Sequence, residues 1–243
     1  MDDHQLAAQI AREAGQLLLR RRAEGATKDD GDRESNELIL ARLAEARPDD
    51  AVLSEESKDD RIRLQRDRVW IVDPLDGTRE FGEAGRSDWA VHVALVVNGT
   101  PFACAVALPA QDDLVLATEP APTLAPAYGG KPRLLVSRTR PPKLAEYLAG
   151  VLDAELVPLG SAGAKTMAVI QGHADVYAHS GGQYEWDSAA PIGVAAAAGC
   201  HTSRLDGSPL VYNQPDVYLP DLLVCRPELA ESVLAAIREA PDD

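Results

Sequence analysis

The segment that most restricts the fold is an apolar run that leads directly into two aspartates. Val69-Trp70-Ile71-Val72 is typical of a buried strand, and Asp73-Pro74-Leu75-Asp76-Gly77-Thr78 follows it without a break. Proline fixes one φ angle, so the chain is expected to turn where both carboxylates can face one point. Neighbouring carboxylates repel each other unless a cation lies between them, and oxygen ligands suit Mg²⁺ or Mn²⁺. The hexapeptide therefore predicts a site for a hard cation.

The second half of the hexapeptide is suited to phosphate. Gly77 permits a close backbone approach, and Thr78-Arg79-Glu80-Phe81 is predicted to begin a helix whose free N–H groups face an anion. The ordinary alternative is an acidic turn in which Asp76 is only a helix N-cap. A complete hexapeptide after a strand favours the binding site.

The first half of the chain has the patterns of helices followed by a sheet. Amphipathic helices are predicted over 3–24 and 34–46, with residues 28–32 as a polar turn that places Asp32 at the entrance of the second helix. Strands are predicted over 51–53, 69–72, 91–97, 101–108 and 114–118, with a hairpin turn at Asn98-Gly99. This half is predicted to be α+β with a mostly antiparallel sheet.

A proline-rich stretch divides the chain. Residues 120–126 contain three prolines and precede Gly129-Gly130, which together predict a linker between units 1–130 and 131–243. Strands are predicted over 133–137, 155–158, 174–178 and 222–225, and helices over 143–152, 162–171, 187–198 and 227–239. Alternating strands and helices predict an α/β second half.

The charge balance argues against a nucleic-acid polymer as partner. Asp and Glu number 39 against 24 Lys and Arg, which gives a net charge of −15. A polymer of phosphates would be repelled over the whole surface. A small phosphorylated substrate is compatible with this charge, because metal ions and a few cationic side chains can offset it locally.

Other residue types point to a cytoplasmic protein without a disulfide framework. The sequence has no apolar stretch long enough for a membrane span, and it shows no secretory leader. We therefore expect neither membrane association nor export. Cys104, Cys200 and Cys225 are widely spaced and are predicted to be buried thiols. The five histidines show no metal-ligand spacing and are predicted to be structural or solvated.

Three motifs occur in an order that resembles the inositol monophosphatase-like superfamily of Mg²⁺-dependent phosphatases. They are Ser54-Glu55-Glu56 after a short apolar run, the hexapeptide, and Trp186-Asp187-Ser188-Ala189-Ala190. The resemblance covers nearly the full length and implies a layered αβαβα sandwich. It also implies two or three Mg²⁺ ions per site with Mn²⁺ as a substitute, sensitivity to lithium, and a monomer or homodimer.

The resemblance implies the metal ligands. Glu55, Asp73 and the carbonyl oxygen of Leu75 would hold one ion, and Asp73, Asp76 and Asp187 would hold another, with Asp73 between them. Such ions can neutralise phosphoryl oxygens, activate water and assist the leaving group. Asp187 precedes a small-residue helix, where an N-cap role is a compatible alternative.

By the same resemblance, the nucleophile is water. Thr78 and Asp32 match the hydroxyl and carboxylate that orient and deprotonate it. The alternative for Asp32 is an N-cap, since the residue stands just before a predicted helix. A non-catalytic protein that binds divalent ions or nucleotide is the non-enzymatic alternative, but ion binding alone needs neither residue.

The substrate is predicted from a second anion site. In Gly160-Ser161-Ala162-Gly163-Ala164-Lys165, the N–H groups at a helix entrance and the lysine are expected to contact an anion away from the metals. This pattern resembles the 3′(2′),5′-bisphosphate nucleotidases. Inositol monophosphatases usually have a carboxylate where this chain has Ser180. A substrate with a second phosphate, 3′-phosphoadenosine 5′-phosphate or its 5′-phosphosulfate, is therefore favoured over inositol phosphates and fructose 1,6-bisphosphate.

Further substrate contacts follow from the nucleotidase resemblance. Ser137, Arg138 and Arg140 lie where those enzymes contact the nucleotide, and either arginine is suited to the 5′-phosphate or to stacking on adenine. The alternative for each arginine is an ordinary surface charge. Gly77, Thr78 and Asp187 are counted among the substrate contacts as well as in the cation site.

Overall fold

The computed structural model describes residues 1–127, 129–139 and 141–241. Its α-helices are α1 (Asp3–Ala23), α2 (Lys28–Ala46), α3 (Thr78–Gly82), α4 (Lys143–Val151), α5 (Ala162–Ile170), α6 (Glu185–Ala197) and α7 (Ala230–Arg238), and 3₁₀ turns lie at Ile62–Gln65 and Pro227–Leu229. Its strands are β1 (Ala51–Ser54), β2 (Arg68–Asp76), β3 (Ala90–Val97), β4 (Thr100–Leu108), β5 (Leu114–Ala117), β6 (Arg133–Ser137), β7 (Glu155–Leu159), β8 (Val176–His179), β9 (Gln183–Tyr184), β10 (His201–Ser203), β11 (Tyr218–Leu219) and β12 (Leu222–Cys225).

The first sheet has the order β1-β2-β3-β4-β5. Strand β1 runs parallel to β2, and the other neighbours are antiparallel, which confirms the mostly antiparallel prediction. Asn98 and Gly99, with φ of 50° and 79°, form the tight connection between β3 and β4. Both residues tolerate this left-handed conformation, which matches the twist of a hairpin.

The second sheet has the order β10-β12-β8-β6-β7 and is mixed. Strand β6 is parallel to β7 and β8, whereas β12 is antiparallel to β8 and β10. Strands β9 and β11 form a separate antiparallel pair. The sequence patterns did not predict β9, β10 or β11, because two or three residues are too few to show an alternation.

Alternation along β2 explains how the layers stack. Trp70 and Val72 join the apolar cluster beneath α1 and α2, while Val69 and Ile71 join the cluster that holds α5 and α6. Successive strand residues point to opposite faces, so both faces of this sheet are covered by helices. Helices α4 and α7 pack with the far face of the second sheet. The layers are therefore helix, sheet, helix, sheet and helix, which confirms the predicted sandwich.

The largest apolar cluster takes residues from both halves of the chain. Leu53 and Val106 share it with Leu135 and Met167. The proline-rich stretch also touches the second half, because the Ala125 N–H donates to a carbonyl in α5. The division into units 1–130 and 131–243 stays a prediction, and the two parts share one core.

Helix α2 begins at Lys28, six residues before the predicted start. Its N-cap is Thr27, whose Oγ1 accepts a hydrogen bond of 3.1 Å from the Asp30 N–H. The predicted turn over 28–32 is therefore wrong, since the cap and the acidic first turn both favour a helix there. Asp32 lies inside the helix and is only 6% exposed, so it is not an N-cap.

Removal of this cap should weaken α2. We expect Thr27→Ala to lower the free energy of unfolding by about 1 kcal/mol, because the Asp30 N–H loses its acceptor. Thr27→Ser keeps the hydroxyl and should be close to wild type. Urea denaturation measures the difference, and equal stability of the alanine and serine variants would contradict the assignment.

Among the described helices, none combines the length and apolar character needed to cross a membrane.

Candidate active site

Most of the predicted site residues meet at one cavity of about 300 Å³. Of the predicted set, those that line it are Glu55, Asp73, Leu75, Asp76, Gly77, Thr78, Ser137, Arg138, Gly160, Ser161, Lys165 and Asp187. Asp32 is not among the lining residues, and Arg140 lies outside the described part of the chain. Residues far apart in the sequence are therefore brought to one place.

A β-bulge, rather than a turn, brings the first two aspartates together. Strand β2 continues through Pro74 to Asp76, so the predicted turn at the proline is wrong. Asp73 pairs with His92 and Asp76 with Ala90, which leaves one extra residue on β2. In a regular strand, residues three apart point to opposite faces, and the extra residue redirects the second side chain. Proline is tolerated here because a bulge needs no ladder hydrogen bond from it.

Three carboxylates form the centre of the cavity. One oxygen from each of Asp73, Asp76 and Asp187 lies within 4.8 Å of the others. Asp187 belongs to the first turn of α6, and its Oδ2 accepts a hydrogen bond of 2.7 Å from the Tyr184 N–H at the N-cap. The N-cap residue is thus Tyr184, but Asp187 still caps the helix while its carboxylate joins the cluster.

Electrostatic repulsion in the cluster indicates a place for a cation. Burial, followed by the charges of Asp76 and Glu55, raises the pKa of Asp73 well above its usual range. Burial, followed by Asp76, raises the pKa of Asp187 to about 6. Desolvation in the cavity, followed by Asp187 and Asp76, raises the pKa of Glu55 to about 7, although much of that residue faces solvent. A group of oxygen ligands whose negative charges repel one another in this way fits a hard divalent cation.

Asp76 is the exception within the cluster. Burial alone would raise its pKa, but His92, Ser161 and Gly163 together lower it to about 2. Its Oδ2 accepts hydrogen bonds from Ser161 Oγ at 2.5 Å and Gly163 N at 2.7 Å, and lies 3.2 Å from His92 Nε2. This oxygen is therefore occupied by protein donors, which leaves the other oxygen for a cation.

His92 connects the metal-ligand elements. It is fully buried on β3, and its Nδ1 lies 3.0 Å from the Trp186 carbonyl oxygen. Burial would lower the pKa of His92, but the Asp76 carboxylate 3.2 Å from its Nε2 raises the pKa overall. The sequence patterns classed His92 only as structural or solvated. His92 is recognised as part of the site by its position opposite Asp73 in the pairing of β2 with β3, and the sequence does not show this pairing.

Asp32 lies behind the cavity wall. Its Oδ1 is buried and has no hydrogen-bond partner among the described residues. Burial, followed by the charges of Glu56 and Glu55, raises its pKa to about 8. Ser35 on the same helix donates to the Pro74 carbonyl oxygen at 2.8 Å, so α2 is attached directly to the bulge. Asp32 is thus held near the acidic cluster without lining the cavity.

The N–H groups expected to bind a substrate anion are already used within the protein. Gly160 N donates to Asp88 Oδ2 at 2.6 Å, and Ala164 N donates to Ser161 Oγ at 2.9 Å. Gly163 N donates to Asp76, as described above. These three N–H groups are therefore bound within the protein, and an anion contact at the remaining groups of this segment stays a prediction. The acid at this helix entrance is a side chain of the protein itself.

Lys165 lies in the acidic cavity rather than away from it. Its Nζ donates to the Ser161 carbonyl oxygen at 2.7 Å, and the residue is 6% exposed. Burial lowers the pKa of Lys165, whereas Asp76 and Glu80 oppose that shift. Lys165 thus lines the same cavity as the proposed metal ligands, because α5 docks its first turn on Asp76.

Arg138 is held by two acids that the sequence patterns did not single out. Its Nη2 lies 2.9 Å from Glu80 Oε1 and 2.8 Å from Glu83 Oε1. Glu80 also approaches Gly160 closely, since an ideal Cβ at Gly160 would lie 2.3 Å from Glu80 Cδ. Glycine at this position therefore makes room for the Glu80 carboxylate.

Ser180 contributes to a different cavity. It lines a space of about 280 Å³ with Tyr147 of α4 and Ile237 of α7, and is not among the residues around the acidic cavity. The argument that Ser180 replaces a substrate-binding acid therefore receives no support from its position.

Comparison with known proteins finds relatives along almost the whole chain. The model of the inositol monophosphatase family matches residues 3–242. The chain is 52% identical to the 3′-phosphoadenosine 5′-phosphate phosphatase of Mycobacterium leprae, over 98% of this chain and 94% of that protein. It is 30% identical to the 3′(2′),5′-bisphosphate nucleotidase CysQ of Escherichia coli, over 87% of this chain and 94% of that protein.

A solved structure also resembles this chain. The inositol monophosphatase of Anabaena (Nostoc) sp. PCC 7120 has a TM-score of 0.80 at 20% identity, and the match covers 98% of this chain and 96% of that one. At this identity the likeness shows that the two chains share a fold.

Proposed function

This chain belongs to the inositol monophosphatase family, and we propose that it is a Mg²⁺-dependent phosphatase that removes the 3′-phosphate of 3′-phosphoadenosine 5′-phosphate. The related compound 3′-phosphoadenosine 5′-phosphosulfate is proposed as a second substrate. The observation that carries this proposal is the cluster of two buried aspartates, Asp73 and Asp76, with the half-buried Asp187 in one cavity with Lys165 and Arg138. The similarity to enzymes named for this bisphosphate supports the choice of substrate.

The metal ligands are proposed from the donors around the cavity. Asp73, Asp76 and Asp187 would hold one ion, and Glu55, Asp73 and the Leu75 carbonyl would hold another. When bound, Mg²⁺ supplies charge that neutralises the phosphoryl oxygens and makes water more acidic. The carboxylate repulsion described above supports a divalent cation, and the oxygen-only donor set favours Mg²⁺ or Mn²⁺ over softer metals.

Two side chains are proposed to orient and deprotonate the nucleophilic water. The Thr78 hydroxyl, which lines the cavity, would orient the water, and Asp32 would take up the proton by relay through that hydroxyl. Burial, followed by the charges of Glu56 and Glu55, raises the pKa of Asp32 to about 8. A cation held at Glu55 would offset that acidic charge and bring the pKa of Asp32 down toward the neutral range that suits a general base. The attachment of α2 to the bulge through Ser35 would keep that carboxylate at a constant distance from the motif.

The second phosphate is proposed to meet two of the cationic side chains that line the cavity. Lys165 is a buried ammonium, and Arg138 presents a planar guanidinium suited to phosphate oxygens. Gly77 and Asp187 are proposed to contact the ribose side of the substrate. A substrate with one phosphate, held at the metal ligands, would make no use of these two cations.

Phosphate release from a panel of substrates tests the proposal. We expect the purified protein to hydrolyse the adenosine bisphosphate faster than inositol 1-phosphate or fructose 1,6-bisphosphate, and to lose activity in EDTA. Return of activity with Mg²⁺ or Mn²⁺ would support the metal assignment. A higher kcat/KM for inositol 1-phosphate would overturn the substrate, and cation binding without any phosphate release would favour the ion-binding alternative.

Loss of the buried ammonium should affect the two substrate classes differently. We expect Lys165→Met to raise KM for 3′-phosphoadenosine 5′-phosphate by about tenfold or more, because a charge-assisted hydrogen bond is lost. KM for adenosine 3′-phosphate, which has no second phosphate, should change much less. Lys131→Met is a matched control, since Lys131 forms an exposed pair with Asp153. Equal losses on both substrates would reject the second-phosphate role.

A further inference from the structure

The guanidinium of Arg138 is shared by two carboxylates in different environments. Glu80 has a side chain that is only 8% exposed, whereas the Glu83 side chain is 42% exposed. Arg138 lies between these values at 26%. Both acids contact the same Nη2 atom, at 2.9 Å for Glu80 and 2.8 Å for Glu83. The cation thus has one buried partner and one partner that faces solvent.

Glu80 is fixed in place. It lines the acidic cavity, and its carboxylate fills the space that a side chain at Gly160 would need. Its backbone is also fixed, because the Arg22 guanidinium donates to the carbonyl oxygens of Glu80, Glu83 and Arg86 at the end of α3. Movement of the Glu80 carboxylate would require α3 or the Gly160 backbone to shift.

Glu83 is the more exposed of the two carboxylates that pair with Arg138. It is the C-cap residue of α3, and its side chain is not among those that line the cavity. Exposed ion pairs contribute little to stability because water solvates both charges well. The Glu83 carboxylate can therefore rotate into solvent at small cost and leave the outer side of Arg138 open.

We propose that the two acids have different tasks at this site. Glu80 is a positioning residue that holds the Arg138 guanidinium in the cavity, and Glu83 is an internal anion that the second phosphate of the substrate displaces. This inference rests on the proposed function and adds a determinant of substrate selection to it. A phosphate dianion binds a guanidinium more strongly than a carboxylate does, and it would be repelled by Glu83 if that side chain stayed in place.

Binding of adenosine 5′-phosphate tests this exchange directly. This ligand carries only the second phosphate and is not hydrolysed in the proposed reaction. We expect Glu83→Gln to lower its Kd by about two- to fivefold in titration calorimetry, since the competing anion is removed. Glu80→Gln should raise the same Kd, because the guanidinium loses its buried anchor. Adenosine, which has no phosphate, should bind the wild type and both variants equally.

A matched control separates this effect from the general charge of the protein. Glu37→Gln removes one negative charge from an exposed pair with Arg33 at 2.9 Å on α2, and should leave the Kd unchanged. An unchanged or higher Kd in Glu83→Gln would overturn the proposal, as would an equal decrease in the Glu37 variant. The result does not depend on turnover. Failure of the wild type to hydrolyse the bisphosphate would instead refute the proposed function.

Discussion

Asp76→Asn should lower phosphate release by about three orders of magnitude or more while the protein stays folded. One carboxylate oxygen accepts from Ser161 Oγ and Gly163 N, and the asparagine carbonyl can take over both hydrogen bonds. The amide NH₂ would then face Asp73 and Asp187, where a cation is proposed to bind. An NH₂ group is a donor only, so it cannot serve as a metal ligand.

The experiment compares kcat for 3′-phosphoadenosine 5′-phosphate with the free energy of unfolding in urea. Asp175→Asn is the control, since Asp175 is a buried acid that accepts a hydrogen bond of 2.8 Å from the Arg133 N–H in the second sheet. That variant should keep turnover close to wild type. Near-normal turnover of Asp76→Asn would remove Asp76 from the catalytic site.

Gly163→Ala should damage both stability and activity through one methyl group. An ideal Cβ at Gly163 would lie 2.0 Å from His92 Nε2, far closer than two non-bonded atoms can approach. His92 is fully buried and cannot withdraw into solvent. Either His92 leaves Asp76 and the Trp186 carbonyl oxygen, or α5 moves outward. We expect a loss of about 2–3 kcal/mol in the free energy of unfolding and a large decrease in kcat.

Gly150→Ala is the matched control for this prediction. Gly150 lies in helix α4, where an added Cβ meets no atom within 4 Å. Alanine is favoured over glycine inside a helix, so this variant should be as stable as the wild type or more stable. If Gly163→Ala unfolds at the same urea concentration as Gly150→Ala, the close approach of His92 to α5 is not a constraint on the fold.

The sequence carried most of the fold because the strong patterns are local. The apolar runs of β3 and β4 and the Asn98-Gly99 turn are each visible within ten residues, and the structure confirms them. The sequence pattern misplaces the start of α2, because residues 28–32 have the composition of a polar turn and Thr27 alone marks the cap. Strands β9 and β11 pair only with each other, and a strand of two residues has no sequence pattern by which it could be predicted.

The residues of the candidate site also fall into those that a local sequence motif predicts and those that it does not. The hexapeptide and the Trp186-Asp187 pair identify the carboxylate cluster, because they are contiguous motifs. His92, Glu80 and Asp88 were missed, since their partners lie across strands or in the other half of the chain. The sequence likewise gives no sign that the N–H groups of Gly160 and Gly163 donate to Asp88 and Asp76. Helix N–H groups attract acids, but the sequence does not tell whether the acid belongs to a ligand or to the protein.

Because of the bulge between Asp73 and Asp76, one end of the first sheet should tolerate insertions and deletions less well than the other end. Loss or gain of one residue in this span would send one carboxylate to the opposite face, since side-chain direction reverses at every step along a strand. The β3–β4 turn at Asn98-Gly99 lies at the other end of the sheet, where a longer loop would leave the carboxylates undisturbed. Natural variation in chain length should therefore collect at that turn and avoid the bulge.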